Sequence, residues 1–167
     1  MLRLLLIVFV AGAGWVGFAH LHTRRAAAAD GPVMQARGPN VVGGAQISLD
    51  GYAPGRPLVV NIWASWCAAC IAEANDIRSF AATHPGALLS INTEDAADDG
   101  AAAAARWHWP QPSISDPSGA IAWPFHSTPP GLPTTVFLNA NHRVVGRVTG
   151  EIFSAQLESG WQKAGGG

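Results

Sequence analysis

The hydrophobic positions of this 167-residue chain change period several times, and each change marks an expected element. Residues 57–64, PLVVNIWA, are β-branched and apolar almost without interruption, which predicts a strand buried on both faces. From about Cys67 to Thr83 the period lengthens. CAACIAEANDIRSFAAT is rich in alanine and carries Ile71, Ala74, Ile77, Arg78 and Phe80 at helical spacings, and His84-Pro85-Gly86 stops it. ALLSIN (87–92) predicts the next strand. EDAADDGAAAAARW (94–107) opens with acidic residues that suit a helix N-terminus, so it predicts a second helix with Gly100 as its weak point. Residues 107–133 carry seven prolines and read as irregular. TTVFLN and RVVGRVTG alternate as two strands around a turn at Ala140-Asn141-His142, and SAQLESGWQKA closes the chain as a short helix. Upstream, AQISLDG suggests a short edge strand ending in an Asp-Gly turn. This order predicts an α/β sandwich in which helices flank a central mixed β-sheet.

The N-terminal part has a different character. Residues 4–19 are uncharged and apolar, preceded by Arg3, and roughly 20 residues separate the flanking arginines. That length lies between a signal-peptide core and a comfortable membrane span, and Gly17 and Ala19 have the small side chains a cleavage site needs. Residues 1–22 therefore read as a signal anchor (a transmembrane segment) or a signal peptide, and either one exports the rest of the chain. Residues 23–44, rich in Ala, Gly and Pro, read as a flexible tether, which leaves 45–163 as the folded domain.

Composition narrows the function classes. With 49% hydrophobic residues the chain can build a core without disulfide staples. From Asp30 onward there are seven basic and eleven acidic residues, a balance of −4, and no basic face. This argues against a nucleic-acid partner. The six histidines share no spacing and read as surface residues; Trp63, Trp107, Trp109, Trp123 and Trp161 read as packing.

Both cysteines of the chain fall in NIWASWCAAC, three residues apart, where the buried strand gives way to the helix. At a helix N-terminus free N–H groups and the macrodipole stabilise a thiolate, and Cys70 lies on the same side of the first turn as Cys67. The pair has the arrangement of a reversible dithiol, with one accessible nucleophile and one resolving thiol. A structural disulfide closing so small a loop would stabilise little. A structural zinc site would need a second ligand pair that the chain lacks. Two inert buried thiols would leave the Trp-Cys junction unexplained.

VVNIWASWCAACIAE, SDPSG and GLPTTVFLN, taken together, resemble the thioredoxin superfamily, and within it the TlpA/ResA-type membrane-anchored thiol–disulfide oxidoreductases, over about residues 45–163. The resemblance implies a thioredoxin-like sandwich on the periplasmic or extracytoplasmic side. It also implies exchange with client proteins bearing cysteines, apocytochrome c among them, and a membrane electron donor. Residue by residue, Cys67 matches the attacking cysteine, Cys70 the resolving one, and Trp66 the aromatic that shields them. Glu73 matches the acid that tunes thiol titration. Pro133 matches the cis-proline whose loop, with Leu132, meets the client, and Asn61 stands where cytosolic relatives have a buried Asp. No metal or organic cofactor is implied. The tether and the Glu73 match favour a reductant, while Ala68-Ala69, which departs from the X-Pro of many relatives, leaves the direction unfixed. A disulfide-forming oxidant stays open, as does a Cu(I)-handling module, although the Cx3C-plus-His pattern of copper carriers is missing.

Overall fold

The computed structural model describes residues 31–126 and 130–167. The expected leader over 1–22 and the first part of the expected tether lie outside these residues. In chain order the elements are β1 (Arg37–Pro39), β2 (Gln46–Ser48), α1 (Leu49–Tyr52), β3 (Leu58–Trp63), α2 (Ala68–Thr83), β4 (Leu88–Thr93) and α3 (Ala97–Arg106). They continue with β5 (Ser113–Asp116), a 3-10 turn at Trp123–Phe125, β6 (Thr134–Leu138), β7 (Val144–Thr149) and α4 (Ser154–Lys163). Five strands make one sheet in the order β5-β4-β3-β6-β7, while β1 and β2 form a separate ribbon. β3, β4 and β5 run parallel; β6 is antiparallel to β3, and β7 to β6. Among the described residues, no helix is long and apolar enough to cross a membrane.

β3 is central, and all six of its residues are buried, as its unbroken apolar run requires. Alternate residues feed two cores. Val59 and Trp63 join Phe137, Ile77, Phe80 and Leu157 under α2 and α4. Leu58, Val60 and Ile62 join Leu89, Ile91, Met34, Leu49 and Phe125 on the other face. Each fully buried aliphatic side chain contributes about 1.5–3 kcal/mol, so this strand anchors both layers. Gly100 is no defect in α3. A Cβ there would collide with the Asn92 side chain, so glycine is what lets the helix approach β4.

Four expectations change. The chain is already folded well before residue 45. β1 pairs with β2, the Gly31 N–H donates to the Val144 carbonyl at 2.8 Å, and Met34 and Ala36 are buried. Two apolar contacts in a Gly/Pro-rich stretch are too sparse to show as a period, so the described part of the expected tether belongs to the domain. β2 does not end in an Asp-Gly turn either: Ser48 caps α1, its Oγ accepting from the Gly51 N–H at 3.1 Å. The irregular stretch 107–133 contains β5. Its Ser113 is buried because Oγ accepts from Trp63 Nε1–H at 3.0 Å, while its N–H donates to Asn40 Oδ1 at 3.0 Å. Finally, His142 is buried rather than on the surface, its ring nitrogens 2.8 Å from Asp50 Oδ1 and 2.9 Å from the Ala53 carbonyl.

Candidate active site

β3 ends at Trp63 and α2 begins at Ala68, so four residues carry the chain from sheet to helix. That link is braced from β4. Ser65 donates from its N–H and its hydroxyl to the two oxygens of buried Asp95, each at 2.6 Å, and Asn92 Nδ2–H donates to the same carboxylate at 2.6 Å. Cys67 then takes the N-cap position of α2 in an extended conformation, and its Sγ accepts from the Cys70 N–H at 3.1 Å. No acidic side chain occupies the first turn of α2, so nothing else competes for the positive end of its dipole. Cys67 and Cys70 are joined as a disulfide with their Cα atoms 5.2 Å apart. Cys67 keeps 6% exposure and Cys70 none, so of the two residues only the first retains surface to solvent.

A cavity of about 470 Å³ opens beside Cys67, lined also by Trp66, Glu94, Trp123, His126 and Leu132. Trp66 is 59% exposed and stands at the rim, its Nε1–H donating to the Glu94 carbonyl at 3.3 Å. Trp123 is also exposed, so the expectation that it serves as packing does not hold. The packing expectation holds for Trp63 and Trp109, which are buried and stack at 4.5 Å between centroids. Pro133 is buried directly before β6, after a cis Leu132–Pro133 peptide, and half-buried Leu132 packs against the core that holds the cysteines.

Glu73 lies one helical turn past Cys70 and is fully buried, not on the solvated face. Its carboxylate accepts from Asn61 Nδ2–H at 2.8 Å and from the Ile152 N–H at 2.9 Å. Asn61 Nδ2 also donates to Thr135 Oγ1 at 3.0 Å. Burial pushes the Glu73 carboxyl up to about 7; the two hydrogen bonds oppose that rise, and Glu151 and Asp76 add to it. The acid therefore changes charge near neutral pH within one turn of the buried thiol. Among the described residues no cluster of three or more His, Cys, Asp or Glu side chains is placed to hold a metal ion.

Sequence reasoning singled out Cys67, Cys70, Trp66, Glu73, Leu132 and Pro133. It missed the Asp95–Ser65 brace and the positions of Glu94, Trp123 and His126 at the cavity. Nothing local links Asp95 to a serine 30 residues earlier, and Trp123 lies in the proline-rich stretch where no period exists.

A dithiol at the strand–helix junction of a mixed five-stranded sheet, facing a cis-proline loop, places this chain among thioredoxin-fold proteins. The family model described as Redoxin matches residues 33–154, and the chain belongs to that family, within the thioredoxin superfamily. The thiol:disulfide interchange protein DsbE of Allochromatium vinosum is 26% identical over 111 residues. That match covers 62% of this chain and 59% of the relative, so the chain spans less than two thirds of that protein. Among solved structures, a putative thiol:disulfide interchange protein DsbE from Chlorobium tepidum superposes with a TM-score of 0.70 at 18% identity, over 81% of this chain and 96% of that one. A secreted thiol-disulfide isomerase from Corynebacterium glutamicum superposes with a TM-score of 0.67 at 26% identity, over 80% and 84%.

Proposed function

We propose that this protein is an exported thiol–disulfide oxidoreductase that reduces disulfides in client proteins. One observation carries the exchange itself, while the direction rests on the resemblance to TlpA/ResA-type reductants. Cys67 Sγ caps α2 and accepts the Cys70 N–H at 3.1 Å, while Cys70 has no exposed surface. The cysteine that keeps some exposed surface is thus the one that caps the helix, where a thiolate would be stabilised. In the reduced protein the Cys67 thiolate attacks one sulfur of a client disulfide. The client S–S bond breaks, a Cys67–client bond forms, and the second client sulfur leaves as a thiolate that takes a proton from solvent. Cys70 then loses its proton and attacks Cys67 Sγ, expelling the first client sulfur. Two electrons pass to the client, and the protein is left with the Cys67–Cys70 disulfide.

The remaining site residues take supporting roles in this reading. Glu73 adjusts the titration of the dithiol from beneath Cys70, and the backbone around Leu132 and Pro133 receives the client chain. Trp66 borders the approach to Cys67. Relatives described as secreted or as an exposed lipoprotein support an extracytoplasmic location, with the N-terminal segment as signal or anchor. The resemblance to reductants of the TlpA/ResA type supports apocytochrome c as a client and a membrane protein as electron donor.

Single-cysteine variants test the roles. Cys70→Ser should accumulate a mixed disulfide with a model substrate through Cys67, whereas Cys67→Ser should trap none; trapping through Cys70 would reverse the assignment. Equilibration with glutathione buffers tests the direction. A couple near about −270 mV, as in thioredoxin, supports the reductant, and one near about −120 mV, as in the strong oxidants of this fold, refutes it.

A further inference from the structure

Four residues around the cavity beside Cys67 take no part in the bond-making steps of the exchange, and they are tied to one another. Trp66 Nε1–H donates to the Glu94 carbonyl at 3.3 Å. The Glu94 carboxylate lies over Gly119, where a Cβ would come within 3.2 Å of Oε1. The Trp123 N–H donates to the Gly119 carbonyl at 2.9 Å. Trp66, Glu94, Gly119 and Trp123 therefore make one continuous wall, and both indoles are more than half exposed.

Glu94 is an unexpected residue for its backbone. Its φ is +54°, in the left-handed region that favours glycine or asparagine. The conformation is held by the Glu94 N–H donating to the Asp116 carbonyl at 2.9 Å and by the Trp66 bond at its own carbonyl. Strained positions of this kind cluster at functional sites. Among the described residues, the ion pairs leave the Glu94 carboxylate out, and no Lys or Arg lines the cavity. His126, the histidine on the lining, is held toward its neutral form chiefly by burial.

The cavity wall thus carries the Glu94 carboxylate, which lies outside the ion pairs of the described residues and has neutral-leaning His126 as its neighbour, together with two exposed indole rings. Indole faces attract cations through their quadrupole, and a carboxylate adds direct attraction. An apolar side chain would engage the rings but strip water from the carboxylate without replacing it. An acidic one would be repelled. We propose that this wall is a specificity subsite for a Lys or Arg side chain flanking the reactive cysteine of the client, an inference that rests on the exchange reading above. A cavity of this volume is about 10 Å across, which an extended chain spans in about three residues at 3.3 Å each. The cation therefore belongs to a residue within about three positions of the client cysteine.

The test uses the full-length reduced protein and short peptides whose single cysteine carries a mixed disulfide with thionitrobenzoate. Lys, norleucine or Glu is placed two residues from that cysteine. Attack by Cys67 on the peptide sulfur releases thionitrobenzoate, read by absorbance, and Cys70 then frees the peptide thiol. The second-order rate constant for the Lys peptide should exceed that for norleucine by about tenfold, with the Glu peptide slowest. Added salt should shrink the Lys advantage. Glu94→Gln should lower the Lys-to-norleucine ratio and remove its salt dependence, and Trp123→Leu should lower the ratio as well. Equal rates for Lys and norleucine, or a ratio unchanged by Glu94→Gln, overturn the subsite while leaving the exchange reading standing. Release from no peptide overturns both. The peptide comparison and its salt dependence decide the matter on the unsubstituted protein alone if the variants fail to fold.

Discussion

Replacing Glu73 by glutamine should change how stability depends on pH. The folded carboxyl titrates at about 7 against an ordinary value of 4.5, a difference of about 2.5 units, or about 3 kcal/mol. Folding raises the proton affinity of this group, so its favourable contribution is complete below about pH 4.5 and is lost as pH rises through 7. Midway through that window the slope is about 1.4 kcal/mol per pH unit. Glu73→Gln removes the titration but adds a separate cost. The glutamine Oε1 can still accept from Asn61, while its Nε2 donor would face the Ile152 N–H in place of the present acceptor. That mismatch costs about 1–3 kcal/mol and does not vary with pH. Glu73→Gln should therefore be the less stable protein at pH 4.5, and the gap should close by about 3 kcal/mol by pH 8. Urea unfolding of both oxidised proteins across this range measures it. The difference between the two curves is the quantity to read, because His126, which burial shifts the opposite way, titrates in both and cancels. A flat difference from pH 4.5 to 8 would refute the reasoning. In the reduced protein the same substitution should alter the pH profile of thiol alkylation, and superimposable profiles would take Glu73 out of the chemistry.

Cys67 should be alkylated much faster than Cys70 during brief iodoacetamide treatment of the reduced protein near neutral pH, read by mass mapping, because only Cys67 has exposed surface; equal labelling removes it as nucleophile. Asp95→Ala strips the acceptors from the Ser65 N–H, the Ser65 hydroxyl and Asn92 Nδ2, and should destabilise the protein by about 2–4 kcal/mol in urea. The same variant should slow exchange by loosening the approach to Cys67, and an unchanged rate would show that the brace is structural only. His142→Ala breaks the contacts to Asp50 and Ala53 and should cost about 2 kcal/mol; a loss below about 0.5 kcal/mol would return His142 to the surface reading.

The elements written in strong periods are the ones a reader of the chain can find. β3, β4, β6 and β7 follow apolar or alternating runs, and α2 starts within a residue of Cys67 as the strand-to-helix change of period demands. β5 escapes because SISD has one aliphatic residue, Ile114. Its Ser113 is buried where it meets partners distant in the chain: Trp63, 50 residues earlier, and Asn40, 73 residues earlier. The face of α2 shows a subtler failure. Reading Ile71 as part of the apolar stripe phases the helix wrongly, since Ile71 is 46% exposed and the buried stripe is Cys70, Glu73, Ala74, Ile77 and Phe80. The spacing of that stripe was present all along, but a carboxylate in it is disfavoured until Asn61 and Ile152 are known to receive it.

What gathers the site is topology more than any local motif. β3, β4 and β5 are parallel, so their carboxyl ends lie along one edge of the sheet, with Trp63 beside Asn92 and Thr93 beside Asp116. The chain leaving β3 supplies Trp66 and Cys67, the chain leaving β4 supplies Glu94 and Asp95, and the chain leaving β5 supplies Gly119 and Trp123. β6 runs the opposite way, with Thr134 paired to Ile62, so its amino end reaches the same edge and brings Leu132 and Pro133 with it. Ligand sites of open α/β sheets form outside the carboxyl ends of parallel strands for this reason. The dithiol motif marks the bond that the proposed exchange would use. The strand order specifies which side chains stand around it, which is why Glu94 and Trp123 acquire a meaning only once β5 has been placed beside β4.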